Sequence, residues 1–97
     1  MTGTAATGTV AQARVTIVNQ RGLHARAAAR FVKLVAAFQV EVTVVANGTE
    51  VSGASIMGLM MLAASPGCEL ELRATGPAAP AAVAALVSLI ESKFHED

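Results

Sequence analysis

The 97-residue chain contains few aromatic residues and few charges. It has three Phe, no Trp and no Tyr, and its seven Lys and Arg residues balance seven Asp and Glu residues. Nucleic-acid-binding domains usually carry a basic surface and aromatic side chains on which bases stack. We therefore expect no nucleic-acid partner.

Cysteine and long apolar runs are also scarce. Cys68 has no second cysteine to pair with, which is typical of a protein from a reducing compartment. No apolar run approaches the ~20 residues needed to cross a bilayer. Residues 1–11 lack the basic region and firm apolar stretch of a signal peptide, and we expect a flexible arm there. We therefore expect a soluble, cytoplasmic protein with no membrane partner. Its length is that of one domain, which we place over residues 12–97.

Hydrophobic periodicity divides the chain into short strands and helices. We predict strands near 13–18, 40–44, 49–52 and 69–73, and helices at 25–38, at 56–63 and after Pro80. Asn47-Gly48 predicts a type I′ hairpin turn between the second and third strands. The order is βαββαβα, which indicates an α+β fold with helices on one face of an antiparallel sheet.

Gly22-Leu23-His24-Ala25-Arg26 lies where the first predicted strand gives way to the first helix. His24 is then at or next to the helix N-cap, with Arg26 in the first turn. Unpaired N–H groups and the positive end of the dipole make a helix N-terminus favourable for anions. Because imidazole titrates near neutrality, these residues predict a site that holds a phosphoryl group on His24. On periodicity alone, a plain N-cap or half-buried loop residue is the favoured interpretation of His24.

The segment from Ser52 to Ala64 has no charged residue. A helix of two turns cannot bury all its apolar side chains against one sheet, so we expect part of them to form a docking surface. Ser55 is predicted to be the N-cap. We expect two leucines to face inward and two methionines to face outward, namely Leu59, Leu62, Met57 and Met60.

The sequence predicts no metal site and no cofactor. Its two histidines, His24 and His95, are 71 positions apart, and no carboxylate lies near His24 in the sequence. His95, between Phe94 and Glu96, is expected to be a solvated tail residue.

These features resemble the HPr family, the histidine-containing phosphocarriers of the bacterial phosphoenolpyruvate phosphotransferase system. The resemblance runs from about Ala13 to Phe94. Residues 22–26 with 28–32 resemble the active-site motif of the family, and Ser55-Ile56-Met57-Gly58 resembles its regulatory serine segment. Two signatures at family-like separation make the match specific.

The resemblance implies an open-faced β-sandwich, in which a four-stranded antiparallel sheet is covered on one face by three helices. It also implies a phosphocarrier and not a stand-alone enzyme. Enzyme I would hand a phosphoryl group to Nδ1 of His24, which would pass it to a histidine of an enzyme IIA. Arg26 and the backbone N–H groups of Ala25 and Arg26 would support the phosphoryl group.

The resemblance further implies a docking surface and a regulatory serine. Ile56, Met57 and Met60 would belong to the surface that binds both partners. In many relatives an HPr kinase/phosphorylase modifies the serine matching Ser55. A phosphate there would stabilise the helix and place about two negative charges beside the apolar surface. Nothing predicts an oligomer, so we expect a monomer.

Ala27 departs from the family pattern, which usually has proline immediately after the arginine. Alanine is a good helix former and keeps its backbone N–H. We expect the helix to begin normally and the efficiency of transfer to be affected.

Two alternatives remain at this point. The protein could be a carrier in a nitrogen-type regulatory relay that is not coupled to sugar uptake. It could also be a ferredoxin-like ligand-sensing module in which His24 is structural. Such a sensor would not accept phosphate from phosphoenolpyruvate and enzyme I.

Overall fold

A computed structural model describes residues 10–96 as four strands, three helices and a final 3-10 turn. The strands are β1 (Val10–Thr16), β2 (Glu41–Ala46), β3 (Thr49–Ser52) and β4 (Glu69–Thr75). The helices are α1 (Ala25–Phe38), α2 (Ile56–Met61) and α3 (Ala79–Glu91), followed by the turn Lys93–His95. Within residues 10–96 no helix is long and apolar enough to cross a bilayer.

The first strand begins earlier than predicted. Val10 pairs with Thr75, so β1 runs along the full length of β4, while small alanines at positions 11 and 13 weaken the alternation in the sequence. Residues 1–9 of the expected arm lie outside the described residues. The boundary at residue 11 is corrected, because Val10 and Ala11 belong to the sheet.

All strand pairs are antiparallel, and the strand order is β1-β4-β2-β3. The three helices cover one face of this sheet, as the α+β prediction required. The other face is open and polar, with ion pairs between Arg14 and Glu69 at 3.6 Å and between Arg73 and Glu71 at 3.0 Å.

The core lies between the sheet and the helices. Alternate strand residues point toward it and are buried, including Val44, Leu70 and Leu72. Phe31 of α1 and Leu86 of α3 are fully buried against them. Burial of this kind is the main stabilising contribution to a domain this small.

Local signals set several element ends as predicted. Asn47 and Gly48 have φ values of 51° and 77°, and β2 and β3 pair directly beside them, which confirms the hairpin. Helix α1 has its predicted bounds. Helix α3 was predicted to follow Pro80 but begins at Ala79, because proline is tolerated in the first helical turn, where no N–H is needed.

The chain after α3 stays packed against the domain. Phe94 is fully buried, and Nη1 of Arg30 donates a hydrogen bond to its carbonyl oxygen. Lys93, Phe94 and His95 have φ values of 61°, 56° and 59°. This left-handed turn directs Glu96 back toward the beginning of α1.

Candidate functional site

The loop before His24 is held by the loop between α2 and β4. Gly22 has φ +64°, and a Cβ at this position would lie 2.2 Å from the carbonyl oxygen of Ala64. The N–H of Leu23 donates to the same oxygen at 2.9 Å, and the Leu23 side chain is buried. Glycine and leucine are therefore required here by geometry and packing, and together they fix the position of His24.

His24 is the N-cap of α1, as predicted, with extended backbone angles and no side-chain capping bond. The first intrahelical bond runs from the N–H of Ala28 to the carbonyl of His24, at 2.9 Å. The N–H groups of Ala25, Arg26 and Ala27 precede that bond and have no acceptor within the helix. Ala27, unlike a proline, keeps its backbone N–H and so contributes one of these donors.

A carboxylate contacts the imidazole of His24, although none lies near this histidine in the sequence. Nε2 of His24 is in hydrogen-bonding contact with Oε2 of Glu96. Nδ2 of Asn19 donates to Oε1 of Glu96 at 3.2 Å and to the carbonyl of Gly22 at 2.9 Å. The side chains of His24 and Glu96 are only 22% and 16% exposed. His95 itself is exposed, as expected.

The surroundings of Glu96 favour its ionised form. The hydrogen bond with His24 lowers the pKa of the Glu96 carboxyl below its ordinary value, and the Asn19 amide and the charge of Arg21 act in the same direction. Burial of the carboxyl raises its pKa, but by less than the hydrogen bond with His24 lowers it. The group beside the histidine is therefore a carboxylate, which can only accept hydrogen bonds.

A cleft of about 450 Å³ opens beside this pair. Three cationic side chains line it, those of Arg21, Arg26 and Lys93, together with Glu96 and Asn19. Arg26 and Glu96, the carboxylate that contacts His24, therefore line the same cleft. Cations next to free helix N–H groups favour an anion in this region.

Helix α2 presents the predicted apolar surface. Leu59 and Leu62 are buried, while Met57 and Met60 are exposed, which confirms the predicted orientation. We use the name methionine patch for the four exposed apolar side chains of this helix, Ile56, Met57, Met60 and Met61. Met61 is 74% exposed, and the sequence analysis did not single it out.

Ser55 caps α2 as predicted. Its Oγ accepts a hydrogen bond from the N–H of Gly58 at 2.9 Å. A Cβ on Gly58 would lie 3.2 Å from both this oxygen and Cβ of Val51 in β3. Close packing of α2 on the edge strand therefore accounts for a glycine inside the helix.

Glu96 and Asn19 are the site residues that the sequence analysis missed. Glu96 is 72 positions from His24, so no local spacing connects them. One signal was available, because Phe94 continues the apolar stripe of α3 and indicates that the chain stays packed there. In residues 10–96, no three His, Cys, Asp or Glu side chains are grouped closely enough to hold a metal ion.

Comparison with known proteins gives a family for this fold and site. The family model described as the PTS HPr component phosphorylation site matches residues 11–92. The phosphocarrier protein HPr of Xylella fastidiosa strain Temecula1 is 43% identical over 83 residues, which cover 86% of this chain and 93% of the relative.

Two further matches extend this result. The phosphocarrier protein NPr of Shewanella violacea is 41% identical over 83 residues, covering 86% of this chain and 91% of that protein. The crystal structure of HPr-C-His from Thermoanaerobacter tengcongensis superimposes with a TM-score of 0.85 at 41% identity, covering 90% of this chain and 98% of that one. The chain belongs to the HPr family, the phosphocarrier proteins of the phosphotransferase system, and has its open-faced sandwich fold.

Proposed function

We propose that this protein accepts a phosphoryl group on His24 from enzyme I and passes it to a histidine of an enzyme IIA. The observation that carries the proposal is the placement of His24 at the N-cap of α1, partly exposed, beside a cleft lined by Arg21, Arg26 and Lys93. Phosphoryl transfer depends on positioning and charge stabilisation, and the site offers both. Arg26 and the N–H groups of Ala25 and Arg26 would hold the phosphoryl oxygens.

The methionine patch supports a role in docking. Its four exposed side chains lie on α2, which packs against α1, the helix that begins at His24. Methionine side chains adapt to differently shaped partners, which suits a carrier that must bind two proteins in turn. We assign partner docking to Ile56, Met57 and Met60, and we add Met61.

The test is to phosphorylate the protein and then measure its intact mass by mass spectrometry. The protein is incubated with phosphoenolpyruvate, magnesium and enzyme I, and His24→Ala is treated in the same way. We expect one acid-labile phosphoryl adduct on the wild-type protein and none on the variant. If a cognate enzyme I gives no adduct, the proposed function is wrong.

We also propose that phosphorylation of Ser55 by an HPr kinase/phosphorylase weakens docking. Ser55 lies at the start of α2, next to the exposed side chains of Ile56 and Met57. A phosphate there would favour the helix but would place charge where enzyme I must desolvate the patch.

Substitution at Ser55 separates these two effects. Ser55→Asp keeps an acceptor for the N–H of Gly58, so we expect near wild-type stability and slower phosphorylation of His24 by enzyme I. Ser55→Ala removes the cap without adding charge. We expect it to lose about 1 kcal/mol in urea unfolding while keeping the wild-type rate. An unchanged rate in Ser55→Asp would contradict the regulatory role.

A nitrogen-type regulatory relay is the second candidate, and the similarity to an NPr favours keeping it. In either role we propose that the protein acts as a monomer in the cytoplasm, without a metal or cofactor of its own. Transfer assays with purified enzyme IIA domains of sugar permeases and of a regulatory relay would separate the two candidates.

A further inference from the structure

We propose that Glu96 is a positioning residue that keeps the proton of His24 on Nε2 and leaves Nδ1 as the phosphoryl acceptor. This inference rests on the proposed function of His24 as the carrier residue. It assigns a role in the chemistry to the C-terminal segment, which is far from the motif around His24 in the sequence.

The hydrogen bonds around Glu96 determine which ring nitrogen carries the proton. A carboxylate oxygen accepts hydrogen bonds only, so the ring nitrogen that contacts it must donate. Nε2 of His24 contacts Oε2 of Glu96, and a neutral imidazole with its proton on Nε2 has its lone pair on Nδ1. Carboxylates orient histidines in the same way in catalytic triads and at metal sites.

The segment that carries Glu96 is itself held in place. Lys93, Phe94 and His95 all have positive φ, a conformation that L-residues rarely adopt and that persists only when surrounding contacts maintain it. Burial of Phe94 and the hydrogen bond from Arg30 to its carbonyl are such contacts. Arg30 is on α1, so the helix that begins at His24 also anchors the residue that orients it.

The transfer step needs no proton to leave His24. The Nδ1 lone pair forms a bond to phosphorus of the phosphohistidine on enzyme I, and the old P–N bond breaks with its electron pair returning to the donor nitrogen. Positive charge then develops on the ring of His24 while its proton stays on Nε2. The Glu96 carboxylate balances that charge from the opposite side of the ring.

Asn19 makes a sharp test possible. Its Nδ2 donates both to the carbonyl of Gly22 and to Oε1 of Glu96, so the orientation of the amide is set. In Glu96→Gln the introduced carbonyl oxygen would face Asn19, and the introduced NH₂ would face Nε2 of His24. The amide would then donate to Nε2 and drive the proton to Nδ1, the nitrogen that must react.

The experiment compares Glu96→Gln, Glu96→Ala and the control Glu91→Gln, which changes an exposed glutamate on α3. Nitrogen-15 NMR of the ring at a pH of about 8.5, where an ordinary imidazole is neutral, reports the tautomer without any partner protein. Phosphorylation by enzyme I gives kcat and KM, and thermal unfolding checks the fold.

We expect the proton on Nε2 in wild type and Glu91→Gln, and on Nδ1 in Glu96→Gln. The kcat of Glu96→Gln should fall at least about tenfold with little change in KM, and the kcat of Glu96→Ala should fall by less.

A purely structural role of Glu96 would reverse this order of kcat values, because glutamine preserves the shape of the side chain and alanine does not. A proton on Nε2 in Glu96→Gln, or a larger loss in Glu96→Ala, would overturn the proposal. Failure of the wild-type protein to accept phosphate would count against the proposed function, while the NMR comparison would still decide the role of Glu96.

Discussion

Gly22 shows how one residue fixes the position of the candidate phosphoryl acceptor. It combines a positive φ with a close approach to the carbonyl of Ala64, and the next residue hydrogen-bonds to the same oxygen. Gly48 shares the positive φ, but a Cβ there would meet no atom within 4 Å. Substitution at Gly48 would therefore test backbone strain alone, whereas substitution at Gly22 would test strain together with a steric clash.

We expect Gly22→Ala and Gly48→Ala to differ strongly in urea unfolding. Gly48→Ala should lose about 1–2 kcal/mol, the cost of a left-handed L-residue. Gly22→Ala should lose more than about 3 kcal/mol, because the loop must also move away from Ala64. Gly22→Ala should in addition slow phosphorylation of His24, and Gly48→Ala should not. Equal losses of stability would mean that the contact with Ala64 is relieved without cost.

At the scale of elements, helix α2 has a buried side that holds it in the fold and an exposed apolar side that is available for docking. Leu59 anchors it in the core, and Ser55 satisfies one of its free N–H groups. Within the methionine patch, Met57 and Met61 are 70% and 74% exposed, so these two side chains contribute little to folding. A substitution in the patch should therefore separate docking from stability.

We expect Met57→Glu to weaken docking to enzyme I without affecting the fold. Met57 is 70% exposed, so the free energy of unfolding should change by less than about 0.5 kcal/mol. An unpaired carboxylate at a desolvated contact should raise the KM for enzyme I about tenfold. The matched control is Val10→Glu, at a residue 59% exposed on β1, the sheet edge opposite β3. A similar rise in KM for both variants would mean that added negative charge, and not the patch, is responsible.

At the scale of the whole molecule, a net charge of zero conceals an uneven distribution. The four strand glutamates lie on the open face of the sheet with two arginines, Arg14 and Arg73. The other five cationic side chains lie on the loop before α1, on α1 and on the final turn: Arg21, Arg26, Arg30, Lys33 and Lys93. These five cations outnumber Glu91 and Glu96, the glutamates of α3 and the segment after it, so the side that carries His24 has a net positive charge and suits an acidic partner surface.

We expect this asymmetry to make phosphorylation sensitive to salt. Raising ionic strength from about 0.05 to 0.5 M should lower kcat/KM for enzyme I several-fold, because screening weakens steering between charged surfaces. Arg21→Gln should lower the rate and flatten its salt dependence. Arg14→Gln, the same change on the open face, should leave both unaltered. Identical behaviour of the two variants would show that total charge matters and its placement does not.

Much of the fold follows from local sequence signals. The period-2 and period-3.6 patterns predicted the order of the four strands and three α-helices, although several of their ends differ by two or three residues. Asn47-Gly48 and Ser55 predicted a turn and a cap that the structure confirms. These signals work because each depends on residues within one or two turns of one another. The start of β1 at Val10 was missed because its pairing with Thr75 comes from the far end of the chain.

The candidate site likewise has one part that local sequence predicted and one part that depends on contacts between distant residues. The sequence by itself determined that His24 caps a helix with Arg26 in its first turn, because both positions follow from the strand-to-helix boundary. Only the tertiary structure decided that Glu96 and Asn19 complete the site. The contact between Glu96 and His24 spans 72 residues and depends on the packing of Phe94 and on three left-handed residues, which no local periodicity encodes.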